Sequence, residues 1–151
     1  VLQLRRRAAR GLGAALALGI AGHGVLAAWV APDLSPLWVS QRTVEAMRAD
    51  TLVPRQGIVT SPVAIAGYAE PSLVFGIGAQ VNLGGPLDAA DAIAEGRPAI
   101  VEGREMAAFR QRLAEHGAQA RQVGVVEGLD YSNGDEVRLT IYAPAEPRSV
   151  P

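Results

Sequence analysis

Two hydrophobic patterns divide this chain. Residues 11–31, GLGAALALGIAGHGVLAAWVA, form a run of 21 residues with one polar side chain, His23. A helix rises 1.5 Å per residue, so this run covers about 30 Å, the thickness of a bilayer's hydrocarbon core. The pattern predicts a transmembrane helix. RRRAAR (5–10) precedes the run, and Trp29 and Trp38 stand at or beyond its far end, where interfacial aromatics belong. The excess of basic residues on the leading side predicts a cytoplasmic N-terminus, with everything after Pro32 outside the cytoplasm.

Twelve of the 21 residues are glycine or alanine, and Gly11, Ala15 and Gly19 recur at four-residue spacing, as do Gly13, Ala17 and Ala21. Small residues so spaced let helices approach closely in lipid, which favours a helix packed among other transmembrane helices over a lone anchor. His23 is expected to be neutral and bonded to a neighbouring helix. A cleavable signal peptide is the competing reading. The run is long for one, and its best cleavage pattern, Val25-Leu26-Ala27, would leave a mature N-terminus near Ala28.

From residue 36 the pattern becomes a regular alternation. Residues 36–48 predict a helix in which Leu37, Trp38, Val44 and Met47 share an apolar side. TLVPRQG (51–57) reads as a loop. PVAIAGY (62–68) reads as a buried strand, and PSLVFGIG (71–78) opens like a helix behind its proline. QVNLGG (80–85) is a short strand, LDAADAIAEG (87–96) a helix and PAIVEG (98–103) a strand. EMAAFRQRLAEHG (105–117) is an amphipathic helix with Met106, Phe109 and Leu113 as its stripe and Gly117 behind it. Segments 120–131 and 136–144 are strands around Asn133-Gly134, a strong hairpin signal. Strands alternating with helices predict a small three-layer α/β domain with a mainly parallel sheet and a C-terminal antiparallel hairpin. The expected organisation is a basic flank (1–10), a span (11–31), a juxtamembrane linker and helix (32–57), the α/β domain (58–144) and a disordered tail (145–151).

Composition narrows the chemistry. There is no cysteine, so disulfides, thiolate metal sites and cysteine nucleophiles are excluded. From Asp33 onward the chain carries 15 acids against 10 arginines, a net of −5. An acidic domain without a basic stripe argues against nucleic acid. GIGAQVNLGG (76–85) lacks the third glycine of a dinucleotide fingerprint, and no phosphate-binding G-x-x-x-x-G-K-[ST] exists. Ser72 lacks the flanking glycines of a nucleophile elbow, and its sole extramembrane base would be His116 at a helix end. Asp88, Asp91 and Glu95 read as a solvated helix face. No catalytic residue, metal site or cofactor is expected in this chain. One corner is a ligand-binding candidate. Glu70 and Ser72 follow a predicted strand's C-terminal end, where α/β folds bind ligands, although the same residues also suit a strand-to-helix turn capped by Ser72.

GYAEPSLVFGIG (67–78), the DAADAIAEG helix (88–96), AIVEGREMAAFRQRL (99–113) and the GLDYSNG turn (128–134) together resemble the C-terminal extracytoplasmic domain of bacterial membrane glycosyltransferases. That PMT-like superfamily includes the aminoarabinose transferases of lipid A and the protein O-mannosyltransferases. The resemblance covers residues 36–144, with the preceding span as the last transmembrane helix. It implies a polyprenyl-phosphate-linked sugar donor, a lipid or protein acceptor, and acidic catalytic residues in an early extracytoplasmic loop upstream of this fragment. It implies as partners the parent protein's other transmembrane helices, with the donor headgroup or a glycan acceptor as candidate ligands. Glu70, Ser72, Tyr131 and Asn133 lie on the matching motifs and are the candidate binding residues. The expected location is the bacterial inner membrane, with residues 32–151 periplasmic. A single-pass, non-enzymatic binding or assembly module is the alternative.

Overall fold

The computed structural model describes residues 2–53, 62–78 and 80–145, with side chains from residue 8 onward. The chain divides into two compact units, Val1–Pro36 and Leu37–Pro151. Most of the expected tail, and residues 54–57 of the expected loop, lie outside the described residues.

The first unit is helical. Helix α1 (Leu2–Val25) continues through a π-helical stretch (Leu26–Val30) into α2 (Ala31–Asp33). Over Ala8–Asp33 it is long and apolar enough to cross a membrane, with a mean hydropathy of 1.8. The helix starts well before the expected span, so the basic flank is helical too. Leu12, Leu16, Leu18 and Ile20 are exposed. His23 Nδ1 lies 3.1 Å from the Gly19 carbonyl oxygen in its own helix. A carbonyl only accepts, so Nδ1 carries the hydrogen.

The second unit contains α3 (Val39–Ala49), β1 (Val63–Ala66), α4 (Pro71–Ile77), β2 (Val81–Gly84), α5 (Pro86–Ala94) and β3 (Ala99–Glu102). A 3-10 turn (Gly103–Glu105) then leads into α6 (Met106–Glu115), and the hairpin β4 (Ala120–Leu129) and β5 (Glu136–Pro144) completes it. The sheet order is β2-β1-β3-β5-β4. Strand β1 is parallel to β2 and β3, whereas β5 is antiparallel to β3 and β4. The sheet is therefore mixed, a parallel βαβ half joined to an antiparallel hairpin.

Successive strand side chains point to opposite faces, and that period sorts the core into two layers. Val63, Ile65, Ile100, Leu139 and Ile141 point to the face covered by α3 and α4, where Val39, Met47, Leu73 and Ile77 meet them. Ala64, Ala66, Ala99 and Val101 point to the face covered by α5 and α6. The small strand residues there lie against Ala89, Ala90 and Ala92 of α5, while Phe109 of α6 fills the remaining space and packs on Tyr142 with ring centroids 5.0 Å apart. Helix α3 is thus an integral layer of the α/β unit rather than a helix separate from it. Its buried side is Val39, Ser40, Thr43, Val44 and Met47, and the expected contributors Leu37 and Trp38 are exposed.

Strand order and layering locate a crevice. The chain leaves β1 for α4 on one face, and leaves β3 for α6 on the other. Connections that diverge in this way from adjacent parallel strands open a gap at their carboxyl ends, the position at which open α/β sheets bind ligands.

Candidate functional site

Gly67 is the first residue beyond β1 and forms the floor of this crevice. Its φ is +82°, and a Cβ added there would lie 2.8 Å from Glu102 Cβ and 2.8 Å from Glu105 Cγ. Only glycine permits both the turn and the approach of the β3 end. Glu102, the last residue of β3, is 3% exposed. Its Oε2 accepts from the Arg104 amide (3.2 Å) and from Arg104 Nε (2.9 Å), so this buried carboxylate is neutralised by its own loop.

The corner that follows turns the chain from strand into helix. Glu70 is extended (φ −66°, ψ 128°) at the N-cap of α4, and Pro71 supplies the first helical residue. Ser72 does not cap its helix. Its hydroxyl donates instead to Ser40 Oγ at 2.8 Å, and Ser40 Oγ lies 3.4 Å from the Tyr68 hydroxyl. The Glu70 side chain turns inward and is only 8% exposed as a residue.

The β4–β5 hairpin closes the site from the other side. The Asp130 amide donates to the Asp135 carbonyl (2.8 Å) and the Gly134 amide to the Asp130 carbonyl (2.7 Å), which encloses a four-residue loop, Tyr131–Gly134. Asp130 Oδ1 accepts from the Ser132 amide (2.9 Å) and hydroxyl (2.6 Å). This Asx geometry presents Tyr131 to the Glu70 corner. Hydrogen bonding to Glu70 raises the Tyr131 phenol above its ordinary pKa, with Ser72 acting in the opposite sense. Asp130 is held below the usual carboxylate range, first by the Ser132 hydroxyl and also by a hydrogen bond with Glu70. Burial raises the Tyr68 phenol.

Three of the four candidate residues therefore meet: Glu70, Ser72 and Tyr131. The fourth does not join them. Asn133 Nδ2 donates to Asp135 Oδ2 (3.1 Å) and its Oδ1 accepts from the Asp135 amide (2.9 Å), so its work is to shape the turn. Ser40, Tyr68 and Asp130 complete the group and were not singled out from the sequence. Tyr68 and Asp130 lie inside the stretches GYAEPSLVFGIG and GLDYSNG, within two residues of Glu70 and Tyr131, whereas nothing local marks Ser40.

The result is a chain of polar groups, Tyr68–Ser40–Ser72–Tyr131–Glu70–Asp130, held at a sheet edge. Carboxylates accept and hydroxyls do both, a set suited to a polyhydroxylated ligand. It contains no Ser–His pair. Ser72 is on α4 and His116 ends α6, on opposite faces of the sheet, and His116 Nε2 instead contacts Asp91 Oδ1 at 2.6 Å. The carboxylates of α5 are each engaged: Asp91 by Arg112 and His116, Glu95 by Arg97, and Asp88 by the Gly85 amide at 2.7 Å. No group of three or more potential metal ligands occurs among the described residues. A shallow groove on α1, lined by Ala15, Leu16, Gly19, Ile20 and His23, follows the small-residue stripe.

No family model, curated protein or solved structure matches this chain.

Proposed function

We propose that this chain is the last span and extracytoplasmic C-terminal domain of a membrane glycosyltransferase using a polyprenyl-phosphate-linked sugar. The chemistry would be carried by membrane-embedded segments outside these 151 residues, and the domain would hold a hydroxyl-rich part of the donor or acceptor. What carries the reading is the meeting of Glu70 and Ser72 with Tyr131, from the two resembling stretches GYAEPSLVFGIG and GLDYSNG, at the carboxyl-edge crevice, although more than fifty residues of chain separate them. Two turns from distant segments with unrelated structural tasks have no reason to share one polar network; a binding site supplies one. The apolar helix supports membrane attachment, and the basic residues before it support a cytoplasmic N-terminus with a periplasmic domain. The small-residue stripe on α1 suits packing against other transmembrane helices of the same protein.

A network built from hydroxyls and carboxylates also suits, as second reading, a non-enzymatic membrane-anchored binding module. Two measurements separate the readings. Immunoblotting of native membranes with an antibody to residues 37–145 should give a band several times 15.7 kDa for the transferase and a band near that mass for the module. In the native protein, Glu70→Ala should then reduce sugar transfer at unchanged membrane abundance; full activity would reject this crevice as a binding site.

A further inference from the structure

Beyond α1 and α2, the largest outlier in the apolar surface is Phe75, which is 86% exposed on α4. Its helix explains the orientation. Leu73 and Ile77 face the sheet, and Gly76 lies so close to α3 that an added Cβ would stand 2.7 Å from Val44 Cγ2. With those positions committed inward, Phe75 points away from the core. Leu37 (37% exposed) and Trp38 (48%) are also exposed, immediately before α3. The 2.8 Å bond from Ser72 to Ser40 pins the beginnings of α3 and α4 together. Trp38 lies two residues before that bond and Phe75 three residues after it, each within about one helical turn of ~5.4 Å.

We propose that Leu37, Trp38 and Phe75 form one surface that rests on a lipid bilayer at headgroup level. The occupant follows from the chain. Trp38 comes five residues after Asp33, the last residue of the apolar helix, and five residues reach at most about 18 Å when fully extended. Tryptophan and neighbouring apolar side chains so close to a span are those that partition into the interfacial zone. The other aromatics of the domain's described residues divide cleanly: Phe109, Tyr68 and Tyr142 are buried, and Tyr131 belongs to the crevice. The surface adjoins the crevice through Ser72, so a ligand held there would sit beside the membrane. The inference rests on the reading of α1 as a span.

The chain's lack of cysteine makes the test direct. Spin labels are attached to single-cysteine variants Leu16→Cys, Phe75→Cys and Arg110→Cys of the full chain in phosphatidylcholine vesicles. Collision with oxygen, which concentrates in lipid, is compared with collision with a water-soluble nickel chelate. All three positions are exposed, so none of the substitutions disturbs the core. Position 110 lies on α6, across the sheet from α4. A several-fold higher oxygen-to-nickel ratio at 75 than at 110, with 16 higher still, is the expected result. Lipid-like behaviour at 16 with 75 matching 110 would overturn the docking and leave the span standing. Water exposure at 16 would reject the span and the docking together. A label at 75 shielded from both reagents would put a protein partner or a second copy there and would equally overturn the proposal.

Discussion

Replacing Gly67 with alanine adds one methyl group to the crevice floor, and two separate costs can be worked out. The residue has φ +82°, where a side chain costs roughly 1–2 kcal/mol. The new Cβ would also lie 2.8 Å from Glu102 Cβ and Glu105 Cγ, against a comfortable carbon–carbon separation of about 3.5–4.0 Å. Glu105 Cγ can swing away. Glu102 Cβ cannot, because it is fixed to the backbone of β3, which pairs with β1 through Ala64↔Ala99 to Ala66↔Val101. The two strands must part at their carboxyl ends, an overpacking cost of about 1–3 kcal/mol. The sum is about 3 kcal/mol. Gly96 is the internal control: its φ is +83° and nothing lies within 4 Å of an added Cβ, so Gly96→Ala carries only the backbone part, about 1–2 kcal/mol. Urea midpoints are read by far-UV circular dichroism on the full chain in detergent micelles. With a slope of about 1–3 kcal/mol per molar, Gly67→Ala should lower the midpoint by roughly 1–3 M, clearly more than Gly96→Ala. Adding Glu105→Ala to Gly67→Ala should recover part of the loss. Equal shifts for the two glycines would refute the close strand approach on which the crevice geometry depends.

The Asp91 carboxyl is held below its ordinary pKa of 3.8, first by Arg112 and then by His116. A lowered folded-state value gives stability that is present above the unfolded pKa and lost as pH falls through the folded one. Urea midpoints of Asp91→Asn should therefore fall less steeply below pH 4 than those of the unmodified chain; parallel slopes would remove the pair from the acid response. The Tyr131 phenol is raised chiefly by Glu70, so Glu70→Gln should move its titration, followed by ring-carbon NMR, down towards 10.0. An unmoved titration would separate the two halves of the crevice.

How much was legible differs from element to element. The long apolar helix announced itself because its run of 21 residues is unbroken, the length a bilayer crossing demands. The β4–β5 hairpin announced itself through Asn133-Gly134, since a positive φ such as Gly134's +80° favours glycine. The expected four-residue loop, 132–135, is shifted by one to Tyr131–Gly134, because Asp130 and Asp135 close it from outside. Helix α3 was visible as a helix but not as a core layer. Its buried side is shifted away from Leu37 and Trp38 by contacts with α4 and β4, whose positions no local pattern encodes.

The site shows the same division. Residue order alone marked Glu70 as lying after a strand, and local chemistry marked Tyr131 as part of a turn. That these two meet depends on β3 standing beside β1 and β5 beside β3, an order chosen by the pairing of whole strands. The sequence by itself determined which segments are apolar, which period each follows and where the chain must turn, because those are short-range constraints on side chains and φ. Only the tertiary structure decided that Ser40, Glu70, Ser72, Asp130 and Tyr131 share one network. Partners that come from distant segments are brought together by sheet order and layer packing, which depend on the energy of the whole core rather than on any stretch of it.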